Sequence, residues 1–162
     1  MANKVYRAVE TALTFKDSGG DAVITLQNLG KGAGRISAVY DRGAGSKPRL
    51  YKWRAVVQFE TAPVVGEQVE ILLSESDGTL ADGVVGAADA ALTAGQKLNL
   101  QTIGIVRAQT TDTATNFIAS GMCLINDRYF SVGVWNGSAG DNLEDTANAC
   151  QVVFTPMPDE IQ

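Results

Sequence analysis

The sequence contains no histidine. That absence removes Ser-His-Asp and Cys-His nucleophile systems from the chain, together with His-liganded metal sites. Cysteine is limited to Cys123 and Cys150, far apart and each inside an apolar run. They read as buried free thiols of a reducing compartment, with a disulfide between two late strands as the alternative. Positive charge is in deficit: 13 Lys and Arg against 18 Asp and Glu leave a net charge of -5. An acidic domain repels phosphate backbones, so nucleic acid is not an expected partner. No apolar run approaches the roughly 20 residues a membrane helix needs. The start, MANKVYRAVET, lacks the apolar core of a signal peptide, so the chain is expected to be made in the cytoplasm and left unprocessed. Proline is scarce at 4 residues, and those present punctuate strand ends.

Glycine is abundant, 17 residues in a chain of 162, and falls between apolar runs, as turns do. That length suits one domain with a substantial core. The most informative stretch is Phe117 to Trp135, FIASGMCLINDRYFSVGVW. Its second half alternates: Phe130, Val132 and Val134 on one side, Tyr129, Ser131, Gly133 and Trp135 on the other. Two apolar runs around Asn126-Asp127-Arg128 predict a β-hairpin. The first run, Phe117 to Ile125, is apolar on both parities, as in a strand covered on both faces. One face would meet the core and the other a neighbouring subunit.

Elsewhere strands dominate. Leu50 to Phe59 alternates strictly, with Tyr51, Trp53, Ala55, Val57 and Phe59 on the core side and Lys52, Arg54 and Gln58 opposite. Ala22, Ile24 and Leu26 form another face. So do Ile36, Ala38 and Tyr40; Val69, Ile71 and Leu73; and Cys150, Val152 and Phe154. Leu98 to Val106 changes parity near Gly104, which predicts a bulge. Ser74 to Gln96 is a long Gly/Ala/Asp-rich connection with a short helix expected at 87–94. Residues 1–20 carry mixed helix and strand signals and read as an arm or first edge strand; 21–158 is the single domain and 159–162 a tail. The expected fold is all-β, an antiparallel β-sandwich of about eight strands, with a jelly roll favoured by the long crossovers.

No motif singles out chemistry. Gly30 to Gly34 lacks the G-K-[ST] ending of a phosphate loop and reads as a turn. Asp141, Glu144 and Asp145, or Asp77 with Asp82, lack calcium-loop spacing and read as solvated acids. Glu60, Glu67, Glu70 and Glu75 have the right type for glycoside chemistry but no distinguishing context. No catalytic, cofactor-binding or metal-binding residue is assigned, and the chain is read as a non-enzyme.

The arm (Met1 to Gly20), the all-β body and the ending RYFSVGVWNGSAGDNLEDTANACQVVFTP together resemble the jelly-roll cement, or decoration, proteins of tailed-phage capsids. The resemblance spans most of the chain. It implies a homotrimer on the capsid exterior that contacts the major capsid protein, with no nucleic acid, membrane or cofactor. Expected capsid contacts are Lys4, Val5, Tyr6, Arg7 and Val9 of the arm, with Arg42, Lys47 and Arg49 of the basic loop. Expected subunit contacts are Phe117, Met122, Leu124, Tyr129 and Trp135. A carbohydrate-binding jelly roll using the loops around Trp135 and Tyr129 is the competing reading.

Overall fold

A computed structural model describes residues 11–45, 47–78, 88–113 and 115–157. Within them the protein is an antiparallel-rich β-sandwich of two sheets. Sheet A has the order β2 (Ala22–Val23), β1 (Leu13–Lys16), β11 (Gln151–Pro156), β5 (Leu50–Val57), β9 (Phe117–Leu124). Sheet B has the order β7 (Ala90–Leu92), β3 (Gly34–Ile36), β10 (Tyr129–Asn136), β6 (Gln68–Ser76), β8 (Gln101–Arg107). The short β4 (Tyr40–Asp41) also pairs with β10. Every pairing is antiparallel except β1 with β2. The described residues hold eleven strands against the eight or so expected; setting aside β2, β4 and β7 leaves eight, of which β3 is itself only three residues long. In chain order each of their connections crosses between sheets, save β6 to β8.

The alternation in β5 is borne out. Tyr51, Trp53, Ala55, Val57 and the following Phe59 are buried, whereas Lys52 and Arg54 are exposed. Phe15, Phe130 and Phe154 meet with ring centroids 5.5–5.7 Å apart and join the two sheets at mid-sandwich. Trp53 fills the seam where β8 and β9 adjoin. A Cβ at Gly104 would overlap its ring, and one at Gly121 would lie 2.9 Å from Nε1, so both positions need glycine. The expected bulge is present: Ile71 opposes Gly104 and Leu72 opposes Thr102, leaving Ile103 as the extra residue.

Four expectations are corrected. The stretch Phe117 to Trp135 is not a hairpin, because β9 lies in sheet A and β10 in sheet B. The three polar residues between them turn the chain across the sandwich instead. Second, β1 lies between β2 and β11, and its Leu13 and Phe15 are core residues. The body therefore starts by Leu13 rather than at residue 21, and β1 is not an edge. Third, the short helix expected over 87–94 is displaced. Ala90–Leu92 is strand β7, and the single helical turn α1 is Ala94–Lys97, closed by a Thr93–Gln96 capping box. Fourth, Ile36 and Tyr40 do not share a face. Ser37 interrupts the strand by exchanging bonds with Val132: its N–H donates to the Val132 carbonyl and its Oγ accepts from the Val132 N–H. Ile36 then joins Leu72, Leu92 and Leu100 in a second, small cluster, and Tyr40 packs on the main core.

Trp53→Ala should cost about 3–5 kcal/mol in chemical denaturation, through lost burial and a cavity. Gly104→Ala should cost about 1–3 kcal/mol, because the ring it would strike is held between two sheets. A loss below about 0.5 kcal/mol for either would mean that the seam is looser than described.

Candidate functional site

The strand register places two chemically distinct ends on the sandwich. At one end β5 begins, β9 finishes and β10 begins. Here Arg42, Lys47, Arg49 and Arg128 line a cleft of about 380 Å³ together with Asn126 and Asp127. The basic loop of the sequence thus meets the polar break after β9. Arg128 clamps Asp41 with two bonds of 2.7 Å. Those bonds, with the Gly43 N–H and the nearby cations, hold the Asp41 carboxyl below its ordinary range; the same bonds to the Asp41 carboxylate push the Arg128 guanidinium above its own.

Arg42 is not the surface contact that its loop position predicts. It is buried and donates to the carbonyls of Ile125 and Asp127, each at 3.0 Å, and to that of Pro48. It also donates to the Tyr51 hydroxyl at 3.2 Å. From the other side buried Glu75 accepts from the N–H groups of Asn126 (2.6 Å) and Asp127 (2.9 Å). One cation takes the carbonyls and one anion the amides of the same crossing. Lys47 and Arg49 do line the cleft, and Arg49 is exposed. Lys4, Val5, Tyr6, Arg7 and Val9 lie outside the described residues.

The five expected subunit contacts divide among three places. Phe117 is core, packed edge-on against Phe59 at 5.7 Å. Tyr129 and Trp135 sit on the outward side of sheet B, under Arg128 at 4.9 Å and Lys97 at 5.0 Å. That side is covered by the chain itself, since Leu92 and Leu100, flanking α1, pack there with Ile36 and Leu72. Lys97 is also paired with Glu70. Only Met122 and Leu124 face solvent as expected, 66% and 54% exposed.

They belong to the outer face of sheet A, which is exposed among the described residues. Across the register Leu124 opposes Leu50, Met122 opposes Lys52, Ser120 opposes Arg54, and Ile118 opposes Val56. Ile118 is 47% and Met157 40% exposed on the same face. No outward position of β5, β9 or β11 is acidic. Ile118, Lys52 and Arg54 were the residues not assigned to any site from sequence. The even parity of Phe117 to Ile125 held that signal, as did the two cations opposite the aromatic face of Leu50 to Phe59. Among the described residues there is no cluster of three or more His, Cys, Asp or Glu able to hold a metal, and no helix long and apolar enough to cross a membrane. No protein-family model matches the chain, and no curated protein matches it.

Both cysteines are free and buried. Burial pushes the Cys123 thiol up to about 12, with Glu75 adding to the effect, and the Cys150 thiol up to about 11. Both should resist alkylation in the native protein near pH 8, where almost no thiolate forms. An unfolded thiol ionises near 9.0. Their contribution to stability is therefore complete below that pH and is lost as pH rises toward 11–12. Stability of wild type should fall more steeply over that window than stability of a Cys123→Ala/Cys150→Ala double variant, measured by denaturant melts. Parallel curves would contradict the burial. Separately, Arg42→Met or Glu75→Leu should each cost about 3–5 kcal/mol by leaving two or more buried backbone groups unpaired, whereas Arg49→Ala should stay within about 0.5 kcal/mol.

Proposed function

We propose that this chain is a structural virion protein: a cement, or decoration, protein that binds the outside of an icosahedral phage capsid as a homotrimer and ties neighbouring major capsid subunits together. The observation that carries the reading is the contrast between the two sheet faces. Among the described residues, part of the chain folds over sheet B and none over the outer face of sheet A, where a row of exposed apolar side chains is interleaved with cations that make no ion pair. An apolar stripe of that kind on a rigid sheet is a binding surface. A scaffold protein needs such faces and no reactive centre, and repeated over many copies modest contacts sum to firm attachment.

The strand orders β1-β11-β5-β9 and β3-β10-β6-β8 support the jelly-roll part of the reading, since they set two interlocked Greek keys on opposite sheets. The basic cleft, with Lys47 and Arg49 on its wall, is the proposed shell contact of the body. The segment holding Lys4, Val5, Tyr6, Arg7 and Val9 is its proposed extension. The carbohydrate-binding alternative has less behind it. Trp135 packs on Gly34 with Lys97 over its ring, which leaves no open stacking platform.

The test is co-sedimentation of purified protein with undecorated capsid shells at two ionic strengths. Full-length protein should pellet with shells, and protein lacking residues 1–10 should pellet several-fold less. The deletion has to stop there, because Leu13 and Phe15 are core residues. Arg49→Glu should weaken binding more at low salt than at high salt, as exposed charges do. Full-length protein that stays in the supernatant with every shell tried removes the decoration role.

A further inference from the structure

The chain carries a second exposed apolar feature, of opposite charge to the first. Between β5 and β6 the backbone makes a tight turn in which the Glu67 N–H donates to the Val64 carbonyl at 3.0 Å. Gly66, at φ 98°, supplies the left-handed residue that such a turn needs. The turn is anchored from below. Pro63 is buried, and the Glu67 carboxylate accepts from the N–H groups of Val64 (3.1 Å), Ala139 (3.1 Å) and Gly140 (3.0 Å). Held this way, Val64 and Val65 project into solvent, 65% and 60% exposed. Two β-branched apolar side chains on a braced tip form a knob, and ordering it on contact costs little.

The knob stands at the acidic end of the sandwich. Glu60 precedes it, and the Glu60 N–H donates to the Asn142 carbonyl, which brings in the loop that holds Glu144 and Asp145; Asp141 of the same loop is buried and accepts from Thr61 instead. None of these acids makes an ion pair among the described residues. The outer face of sheet A shows the converse pattern: Ile118, Met122 and Leu124 as apolar ground, and Lys52 and Arg54 as cations without ion pairs among the described residues.

We propose that the outer face of sheet A receives the Val64–Val65 knob of a second copy of this chain, head to tail, with Lys52 and Arg54 meeting the acidic rim around Glu60. This deepens, and rests on, the homotrimer reading above. Charge decides against the symmetric alternative. Pairing two sheet A faces about a two-fold axis would set the cations of one copy against the same cations of the other, and like charges held together oppose association. A knob-to-face contact pairs opposite charges and apolar with apolar. It is heterologous, so each copy gives one surface and takes another, and a ring closes when the rotation allows.

The test uses two full-length variants, both altered only at exposed positions. The face variant is Lys52→Glu/Arg54→Glu, and the knob variant is Val64→Ser/Val65→Ser/Glu60→Gln, whose neutral polar tip complements neither the native nor the altered face. Circular dichroism and thermal melts establish that each is folded. Light scattering should show wild type as a trimer and each variant alone at one third of that mass. An equimolar mixture should give a one-to-one pair and nothing larger, because the intact knob of one fits the intact face of the other. A wild-type monomer, either variant still trimeric, a dimer of the knob variant through its face, or a mixture that does not pair each overturns the contact. Shell co-sedimentation is read separately. A wild-type trimer with a pairing mixture that ignores shells would overturn the decoration role and leave this contact standing.

Discussion

Each time the chain leaves one sheet for the other, backbone N–H and C=O groups give up their ladder partners beside a low-dielectric core. Left unpaired there, each would cost on the order of 1–3 kcal/mol. This sandwich crosses at nearly every connection, so its architecture depends on supplying those partners from side chains. At the basic end Arg42 and Glu75 do so, one serving carbonyls and the other amides of the Ile125–Asp127 crossing. At the acidic end Asn136 donates to the carbonyls of Leu29 and Asp141, Ser138 bonds the same loop, and Glu67 gathers three amides. Charged residues that composition marks as surface groups are thus part of the interior framework. The acidic excess of the chain is partly a structural resource, not only a solubilising coat.

This dual use explains where sequence reading succeeded and where it could not. Period-two alternation needs only that a strand have one wet and one dry face. It therefore found the core side of β5, β6, β10 and β11 and the glycine-marked bulge of β8. It could not tell a hairpin from a crossing, because Asn126-Asp127-Arg128 suits both and the decision is made by Arg42 and Glu75, distant in sequence. Arg42 sits in DRGAGSKPR, a stretch with every mark of a solvated loop, and only the fold shows its guanidinium enclosed. Trp135 raises the opposite problem. Its apparent exposure at a strand end is removed by Lys97 of α1 and by Leu100, which sits between α1 and β8. The small extra strand β7 was hidden for the same reason, since Ala90–Leu92 has helix-like composition and is held as strand by β3.

The candidate site was half legible. Apolar residues on both parities of β9 announced that one side of the strand must meet something other than its own core. Met122 and Leu124 show that side to be outward and uncovered. The cations were visible as the polar side of β5, yet their meaning depends on register. Only the pairing of Lys52 with Met122 and of Arg54 with Ser120 turns two scattered observations into a single surface.

The two sheets reach different solutions to the same problem. A strand face left apolar on its outer side must be covered, either by the same chain or by another. Sheet B spends the segment between β6 and β8 on this, with α1 and its capping box holding Leu92 and Leu100 over Leu72 and Ile36. Among the described residues sheet A has no such segment, although its outer residues are as apolar at Leu50, Ile118, Met122 and Leu124. Lys52 and Arg54 place two exposed cations in the middle of that face. A fully apolar face would associate without regard to partner, and a fully charged one would not associate firmly. The mixture sets a threshold: association is favourable only with a surface that brings both carboxylates and apolar bulk. The position of β9 adds a further constraint: it is the last strand of sheet A and β8 adjoins it without pairing, and an edge strand invites an extended chain to pair with it. Covering the outer face does not hydrogen-bond that edge. Met122 and Leu124 do bring the apolar ground up to it, so a copy seated there would also shield the edge from chains that do not belong.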